Sequence, residues 1–261
     1  ASKPRTYIIS KNIDAYFTGV YNAWVFLGRV FREAFRRPLH FHEIIHQSLE
    51  LGLKALPLIT LTGFITGVVF TKQSRPSLET FGATSWLPSL ISIAVVRALG
   101  SLVTALICAG KIGSNIGAEL GSMRVTEQID AMEVSGTRPF SYLVVSRITA
   151  TTLMLPILVI FSDVIALIGS FITVNMINKT SFQLYFYEVA VNVSYLDVFS
   201  SLIKSAFFGF AIGLVGSYAG YHSGKGTTGV GKAANAAVVI SMILIFVIDL
   251  ISLQFVNLFR T

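Results

Sequence analysis

The fold class is decided by residues 86–110, WLPSLISIAVVRALGSLVTALICAG. This stretch carries one charged side chain, Arg97. It is longer than the ~20 residues with which an α-helix crosses a hydrocarbon core of about 30 Å. Apolar runs of this length are typical of membrane-spanning helices, whereas shorter runs also occur in soluble cores. Residues 86–110 therefore predict a transmembrane helix.

Four further apolar runs have comparable length, and they lie at residues 50–71, 142–177, 197–220 and 233–259. The run at 142–177 is long enough for a tilted helix with an extension or for a kink near Pro156. The composition agrees, because 53% of the chain is hydrophobic and only 13% is charged, whereas soluble domains carry about 25% charged residues. We therefore expect an all-α polytopic membrane protein with about five transmembrane helices, in which residues 1–261 form a single domain.

The basic excess of the chain does not indicate nucleic-acid binding. The formal net charge is +7, but the basic residues lie between and beside the apolar runs and form no basic domain of their own. The single cysteine, Cys108, excludes an intrachain disulfide.

The segment before the first run is amphipathic. Over residues 18–47 aromatic and aliphatic side chains alternate with Arg29, Arg32, Arg36 and Arg37. Arginines favour anionic head groups, and aromatic rings favour the acyl boundary. We expect an interfacial helix here, bent or ended near Pro38 and then resumed.

Lysine and arginine counts predict the orientation, because such residues concentrate on the cytoplasmic side. With the N-terminus cytoplasmic and the C-terminus on the outer face, thirteen of them lie inside and four outside. The inside set is Lys3, Arg5, Lys11, Arg29, Arg32, Arg36, Arg37, Lys111, Arg124, Arg138, Arg147, Lys225 and Lys232; the outside set is Lys72, Arg75, Lys179 and Arg260.

A polar island interrupts the apolar pattern at residues 109–138. Its apolar residues recur at roughly helical spacing, while its charges forbid a membrane crossing. The orientation places it on the cytoplasmic side. We therefore expect a surface helix over residues 117–135 that faces another molecule.

Three ionisable residues, Arg97, Lys204 and Asp249, fall inside the predicted spans. A charge in a bilayer costs at least ~2.5–3.5 kcal/mol on insertion scales, so each should face a partner charge or a polar cavity. Two interpretations stay open and are compatible: Asp249 pairs with Lys204 or Arg97 to fix the helices, or the three residues line a cavity for an amphiphilic substrate. Asp163 and Lys54 lie nearer the ends of runs, where snorkelling is expected.

The segment His42-Glu43-Ile44-Ile45-His46 matches the H-E-x-x-H pattern of zinc proteases. On a helix its histidines share a face, and Glu43 would serve as general base. No third ligand is obvious, so an intramembrane metalloprotease is a minor alternative, and we expect no metal site. The glycine-rich stretch at 220–231 lacks the spacing of a phosphate-binding loop. We therefore expect no nucleotide site and no bound cofactor in this chain.

The run AELGSMRVTEQIDAMEV at residues 118–134 resembles the MlaE/YrbE permease family, whose members are the membrane subunits of ABC systems that move lipids with MCE proteins. The likeness is weaker at residues 202–205 and 229–231 and at Asp249, and it covers most of residues 20–258. One departure lies in the second span. Where the family usually has a Glu after the arginine and then a proline, this chain reads Arg97-Ala98-Leu99-Gly100-Ser101, which leaves Arg97 free to pair elsewhere.

The resemblance implies a permease subunit in the inner membrane that acts as a homodimer and makes or breaks no covalent bond. ATP and Mg would be held by a partner ABC ATPase, a ring of MCE proteins would lie on the outer face, a small STAS-domain protein is a further expected partner, and phospholipid would be the substrate. A non-transporting scaffold for the MCE ring stays an alternative. By resemblance, helix 117–135 is the coupling helix on which the ATPase docks, through Glu119, Met123, Arg124, Thr126, Glu127, Gln128, Ile129, Asp130 and Met132.

Overall fold

The computed structural model describes residues 5–36, 40–178 and 180–258, and within them it contains helices and no strand. The α-helices are α1 Arg5–Ala34, α2 Phe41–Thr80, α3 Leu87–Ala94, α4 Gly100–Cys108, α5 Ser114–Val125, α6 Gln128–Val134, α7 Ser146–Asn178, α8 Phe182–Asn192, α9 Tyr195–Tyr221 and α10 Gly226–Leu258. Five helical stretches, here called spans 1 to 5, are long and apolar enough to cross a membrane. They are Phe41–Thr80, Thr84–Val125, Phe140–Met176, Tyr195–Tyr221 and Gly226–Val256. The predicted all-α polytopic class with five spans is confirmed.

Span 2 is a continuous helical column assembled from several pieces. A 3₁₀ turn at Thr84–Trp86 leads into α3, and π-helical segments at Val95–Leu99 and Ala109–Gly113 join α3 to α4 and α4 to α5. A π-helical turn inserts extra backbone and re-aims the side chains beside it. Arg97 lies in the first π-helical segment and Lys111 in the second. The apolar run of 86–110 therefore continues without a break into the polar island.

The segment expected as an interfacial helix at 18–47 lies in two helices, as the expected break near Pro38 implies: α1 ends at Ala34 and α2 begins at Phe41. Its boundaries differ in two respects, because α1 already begins at Arg5 and because residues 41–47 form the first turns of span 1. Residues 37–39, where a bend at Pro38 was expected, lie outside the described residues. The polar start of α2 continues into span 1 because its side chains bond along the helix, as when Gln47 donates to Glu43 at 2.8 Å.

The surface helix expected at 117–135 is also divided. Its first part, α5, is the end of span 2, and α6 begins only after a break at Thr126 and Glu127. Thr126 Oγ1 donates to the Ser122 carbonyl at 2.9 Å, which caps α5. Glu127 then adopts a left-handed conformation with φ 59°, the geometry with which helices commonly end.

The remaining boundaries follow from the same structure. Pro156 lies inside α7 and does not interrupt it. The connection after span 3 contains α8. Span 5 begins at Gly226, before the predicted start of its apolar run, and residue 259 at the end of that run lies outside the described residues.

Short connections make neighbouring spans antiparallel. One end of the bundle therefore carries α6 and the α9–α10 turn, here called the α6 end, and the opposite end carries α8, here called the α8 end. At the α8 end the Tyr185 hydroxyl donates to Ser170 Oγ at 2.8 Å, and Thr71 Oγ1 donates to the same oxygen at 2.9 Å. Burial raises the pKa of the Tyr185 phenol, and its bond to Ser170 opposes this rise. This chain of hydroxyls fastens α8 to spans 1 and 3.

Small residues set how closely the spans approach. Spans 1 and 3 run side by side, and a Cβ added to Gly67 would overlap the backbone carbonyl of Ala166. Spans 3 and 4 meet where a Cβ on Gly209 would overlap the carbonyl of Thr151. In lipid, such close backbone contact is a main source of helix association. Gly63 and Gly67, and likewise Gly209 and Gly213, lie four residues apart in the sequence, and each pair marks a contact line with span 3.

Candidate functional site

A buried group of charges joins spans 2, 4 and 5 near the α8 end of the bundle. Lys204 Nζ lies 2.9 Å from Asp249 Oδ1 and donates to the Arg97 carbonyl oxygen at 3.3 Å. The Lys204 side chain is 8% exposed and that of Asp249 is 20% exposed. The sequence left open whether Asp249 pairs with Lys204 or with Arg97, and in the structure it pairs with Lys204. One ammonium group thus contacts all three spans.

Arg97 has a different carboxylate beside it. Its Nε lies 4.0 Å from Oδ1 of Asp197, a buried residue in the first turn of α9. Sequence reasoning did not select Asp197. The available signal was the capping sequence Ser194-Tyr195-Leu196-Asp197, which places Asp197 where the positive N-terminal end of a helix favours a carboxylate. We call Arg97, Asp197, Lys204 and Asp249 the charged cluster.

The expectation that Asp163 snorkels from a run end is wrong. Asp163 is 9% exposed, in the interior of α7. Its Oδ1 has no hydrogen-bond partner in the described part of the chain. The carboxyl packs on Gly100, where an added Cβ would overlap that oxygen. Because Gly100 directly follows the first π-helical segment, Asp163 contacts span 2 beside Arg97. Lys54, in contrast, has an exposed side chain as expected.

An apolar cavity of about 590 Å³ opens between α9 and α10 toward the α8 end. Its apolar walls include Leu196, Phe199, Ile203, Phe207, Ile251 and Phe255. Asp197 and Lys204 also line it, together with the hydroxyls of Ser200 and Ser252. The cavity therefore offers an apolar volume bordered by part of the charged cluster, an arrangement suited to an amphiphilic molecule.

Residues 119–134 comprise the end of α5, the turn at Thr126 and Glu127, and α6. We call this region the elbow, and it carries the residues predicted for coupling. Ile129 is fully buried, and Met123 and Met132 pack partly buried against the same core. Ile129 and Met132 hold α6 onto the bundle, and Met123 packs on the same core from the end of α5. Of the three apolar residues predicted for docking, Ile129 is therefore not accessible to a partner, whereas Met123 and Met132 stay partly exposed. Of the residues predicted for coupling, the exposed ones are Glu119, Arg124, Thr126, Glu127, Gln128 and Asp130. Val134 is exposed as well, by 90%. Sequence reasoning did not select Val134.

Two ion pairs shape this elbow. Arg124 Nη1 bonds Asp130 Oδ1 at 2.5 Å across the break. Arg147 Nη2 bonds Glu119 Oε1 at 2.7 Å and ties α5 to span 3. The Arg147 side chain is 2% exposed, and its Nη1 also donates to the Leu143 carbonyl at 2.9 Å. The elbow is therefore fastened to span 3 by a buried guanidinium group.

The H-E-x-x-H segment has another structural role. Glu43 accepts a hydrogen bond from the Tyr142 hydroxyl at 2.9 Å, which links the starts of spans 1 and 3. His46 lies beside Glu50, with Nδ1 3.9 Å from Oε2. Across the described ranges, no group of three His, Cys, Asp or Glu side chains is arranged to hold a metal ion. These contacts give no support to a protease centre.

Comparison with known proteins agrees with this geometry. The profile of the family described as Permease MlaE matches residues 44–255. This range contains the central part of each of the five spans, the elbow and the charged cluster. The chain belongs to the MlaE permease family. It is accordingly an integral membrane protein and a transport subunit of the ABC transporter type.

MlaE relatives occur in several lineages. A probable ABC transporter permease protein of Rickettsia bellii is 37% identical over 212 residues, covering 81% of this chain and 82% of the relative. A probable ABC transporter permease protein of Synechocystis is 31% identical over 236 residues, covering 90% of each. The chloroplastic protein TRIGALACTOSYLDIACYLGLYCEROL 1 of Arabidopsis thaliana is 28% identical over 231 residues, covering 88% of this chain and 66% of the relative.

Proposed function

We propose that this MlaE permease moves phospholipid or a related lipid between the inner membrane and a tunnel of MCE proteins, driven by a partner ATPase docked on the elbow. The observation that carries the proposal is the cavity between α9 and α10, which combines apolar walls with Asp197 and Lys204. An amphiphile needs both features. In this proposal the acyl chains lie along the apolar walls, and the head group faces the charged cluster.

The energetics favour control by the head group. Acyl chains that leave a bilayer for an apolar cavity exchange one apolar surrounding for another, so this part of the transfer is nearly neutral. A polar or charged head that loses water without new partners costs several kcal/mol. Lys204 and the serine hydroxyls of the cavity supply such partners. A change in the charged cluster would therefore alter lipid affinity more than a change in the walls.

The elbow is suited to receive an ATPase. It presents several exposed charges together with the exposed Val134, and an apolar contact combined with polar residues is the usual anatomy of a protein interface. Span 2 runs as one helical column from the elbow to Arg97. Motion of the elbow would therefore reach the Arg97 carbonyl, which Lys204 contacts.

A second route to the cavity runs through span 4. Gly216 and Gly220 of α9 pack directly on α5, against Gly113 and Gly117 respectively. Because α9 also carries Lys204, a displacement of α5 shifts both sides of the Arg97–Lys204 contact. We propose that ATPase closure uses these two routes to open and close the cavity.

The assembly follows from the family and from the charge pattern. We propose that the chain lies in the inner membrane with the α6 end cytoplasmic, so that the N-terminus is inside and the C-terminus outside. The α8 end would then face the MCE ring. Two copies would form the permease, with ATP and Mg in the ATPase and with a small STAS-domain protein as a further subunit.

The docking proposal is tested by association of the purified chain with its ATPase. We predict that Val134→Asp and Glu127→Lys each weaken association about tenfold or more, as expected for residues central to an interface. Lys225→Glu is the matched control, because Lys225 is an exposed charge at the same end but outside the elbow. Thermal unfolding of all three variants should equal that of the unaltered chain. Unaltered association of both elbow variants would refute docking at the elbow.

A further inference from the structure

A second cavity lies at the α6 end, on a different side of span 2 from the charged cluster. It has a volume of about 380 Å³ and is bordered by α2, by the second π-helical segment with α5, and by α10. Its polar lining consists of Lys54, Lys111, Ser114 and Asn115. We propose that this cavity binds the phosphate group of an anionic membrane lipid, between Lys54 and Lys111.

The charges of the cavity favour an anion. Lys54 Nζ lies 2.5 Å from Glu50 Oε1, so that lysine is already neutralised in part. Lys111 has an exposed side chain and forms no ion pair within the described residues. Among the residues that the structure describes, Glu50 is the one carboxylate paired with either lysine, and its other oxygen lies 3.9 Å from His46 Nδ1. The two lysines and Glu50 together leave one net positive charge for a ligand.

The backbone explains how Lys111 reaches this position. The π-helical segment Ala109–Gly113 re-aims the side chains of span 2 where its apolar part ends. Ser114 directs its hydroxyl to the Gly110 carbonyl, which leaves the Lys111 side chain and the exposed Asn115 amide on the open side. An ammonium and an amide are both donors that suit phosphate oxygens.

The depth of the cavity indicates a lipid head group. Lys54 and Lys111 stand where the apolar runs of spans 1 and 2 begin and end at the α6 side, which is the level of lipid phosphates. The other lining residues, Leu51, Ile112, Ala118 and Ala234, are apolar, and they suit the glycerol and upper acyl part of a lipid better than a free ion. Basic pockets between transmembrane helices bind anionic head groups in this way.

This inference rests on membrane insertion and not on lipid transport, so the two proposals fail separately. The experiment is native mass spectrometry of the delipidated full chain with added phosphatidylglycerol, phosphatidylcholine or inorganic phosphate. We predict preferential retention of phosphatidylglycerol over phosphatidylcholine. Lys111→Gln should reduce phosphatidylglycerol affinity about fivefold, and Lys54→Gln with Lys111→Gln more strongly, because the second replacement also removes the partly neutralised cation of the cavity.

The control removes the same charge elsewhere at the same end. Lys225→Gln with Lys232→Gln changes two exposed lysines of the α9–α10 region, and it should leave phosphatidylglycerol affinity within twofold of the unaltered chain. Equal retention of phosphatidylglycerol by the Lys111→Gln variant and the unaltered chain would overturn the assignment. Competition by inorganic phosphate at concentrations comparable to the lipid would also overturn it, because the site would then bind free phosphate. Since Lys111 is exposed, its replacement leaves the packing of the bundle intact.

Discussion

The charged cluster and the Arg124–Asp130 pair of the elbow both hold opposite charges together, but they do so in opposite surroundings. In the cluster the side chains of Lys204 and Asp197 are 8% and 4% exposed, and the partners come from three spans. In the elbow Arg124 and Asp130 are 41% and 52% exposed and lie six residues apart in the chain. A buried charge without its partner is costly, whereas an exposed pair contributes little. The cluster therefore fixes the spans, and the elbow leaves charges available to another protein.

The largest expected effect is the loss of one partner in the cluster. Lys204→Met leaves Asp249 without its cation, and we expect unfolding in detergent to become easier by about 3–5 kcal/mol, the usual cost of one uncompensated buried charge. The double replacement Lys204→Met with Asp249→Leu should recover most of that loss, because no charge is then left unpaired. The control is Lys232→Met, at an exposed lysine of α10. Equal destabilisation by the single and double variants would show that Lys204 acts through packing and not through its charge.

A smaller effect is expected where the backbones touch. Gly67→Ala adds a methyl group that overlaps the Ala166 carbonyl, and we expect a destabilisation of about 1–3 kcal/mol, as for other overpacked sites. The same unfolding assay measures it. Gly110→Ala is the matched control, because an added Cβ there has no neighbour within 4 Å. Equal free energies of unfolding for the two variants would contradict the close backbone contact between Gly67 and Ala166.

The smallest effect is expected in the elbow. Arg124→Ala removes an exposed ion pair, so stability should change by less than about 1 kcal/mol and the change should vanish at high salt. The free energy of unfolding at two salt concentrations tests this. A salt-independent loss of several kcal/mol would mean that the elbow is built like the cluster, and the contrast between the two regions would be lost.

The sequence predicted the parts of this fold that depend on apolar length and on charge. Five apolar runs became five spans, and the predicted pairing of Asp249 included the partner observed, Lys204. These outcomes follow because a membrane leaves few options for a long apolar run or a buried charge.

The rest depended on backbone details that periodicity does not encode. The left-handed Glu127 divides the helix predicted over residues 117–135, although glycine or asparagine is usual at such a position. The burial of Asp163 depends on the absence of a side chain at Gly100, a residue of another span. Burial of Ile129 and exposure of Val134 were set by how α6 folds back on the bundle, a tertiary contact with no local signal.

The central claim is our proposal that ATP hydrolysis by a partner ATPase, docked on the elbow, drives lipid through the cavity beside the charged cluster. The direct measurement is transfer of a labelled phospholipid from vesicles that contain the chain and its ATPase to an MCE acceptor, with and without ATP. We predict ATP-dependent transfer by the unaltered chain, and its loss in the Lys204→Met, Asp249→Leu double variant while ATP hydrolysis continues. Transfer that survives in this variant, or that proceeds equally without ATP, would contradict the account and would favour a membrane scaffold for the MCE ring.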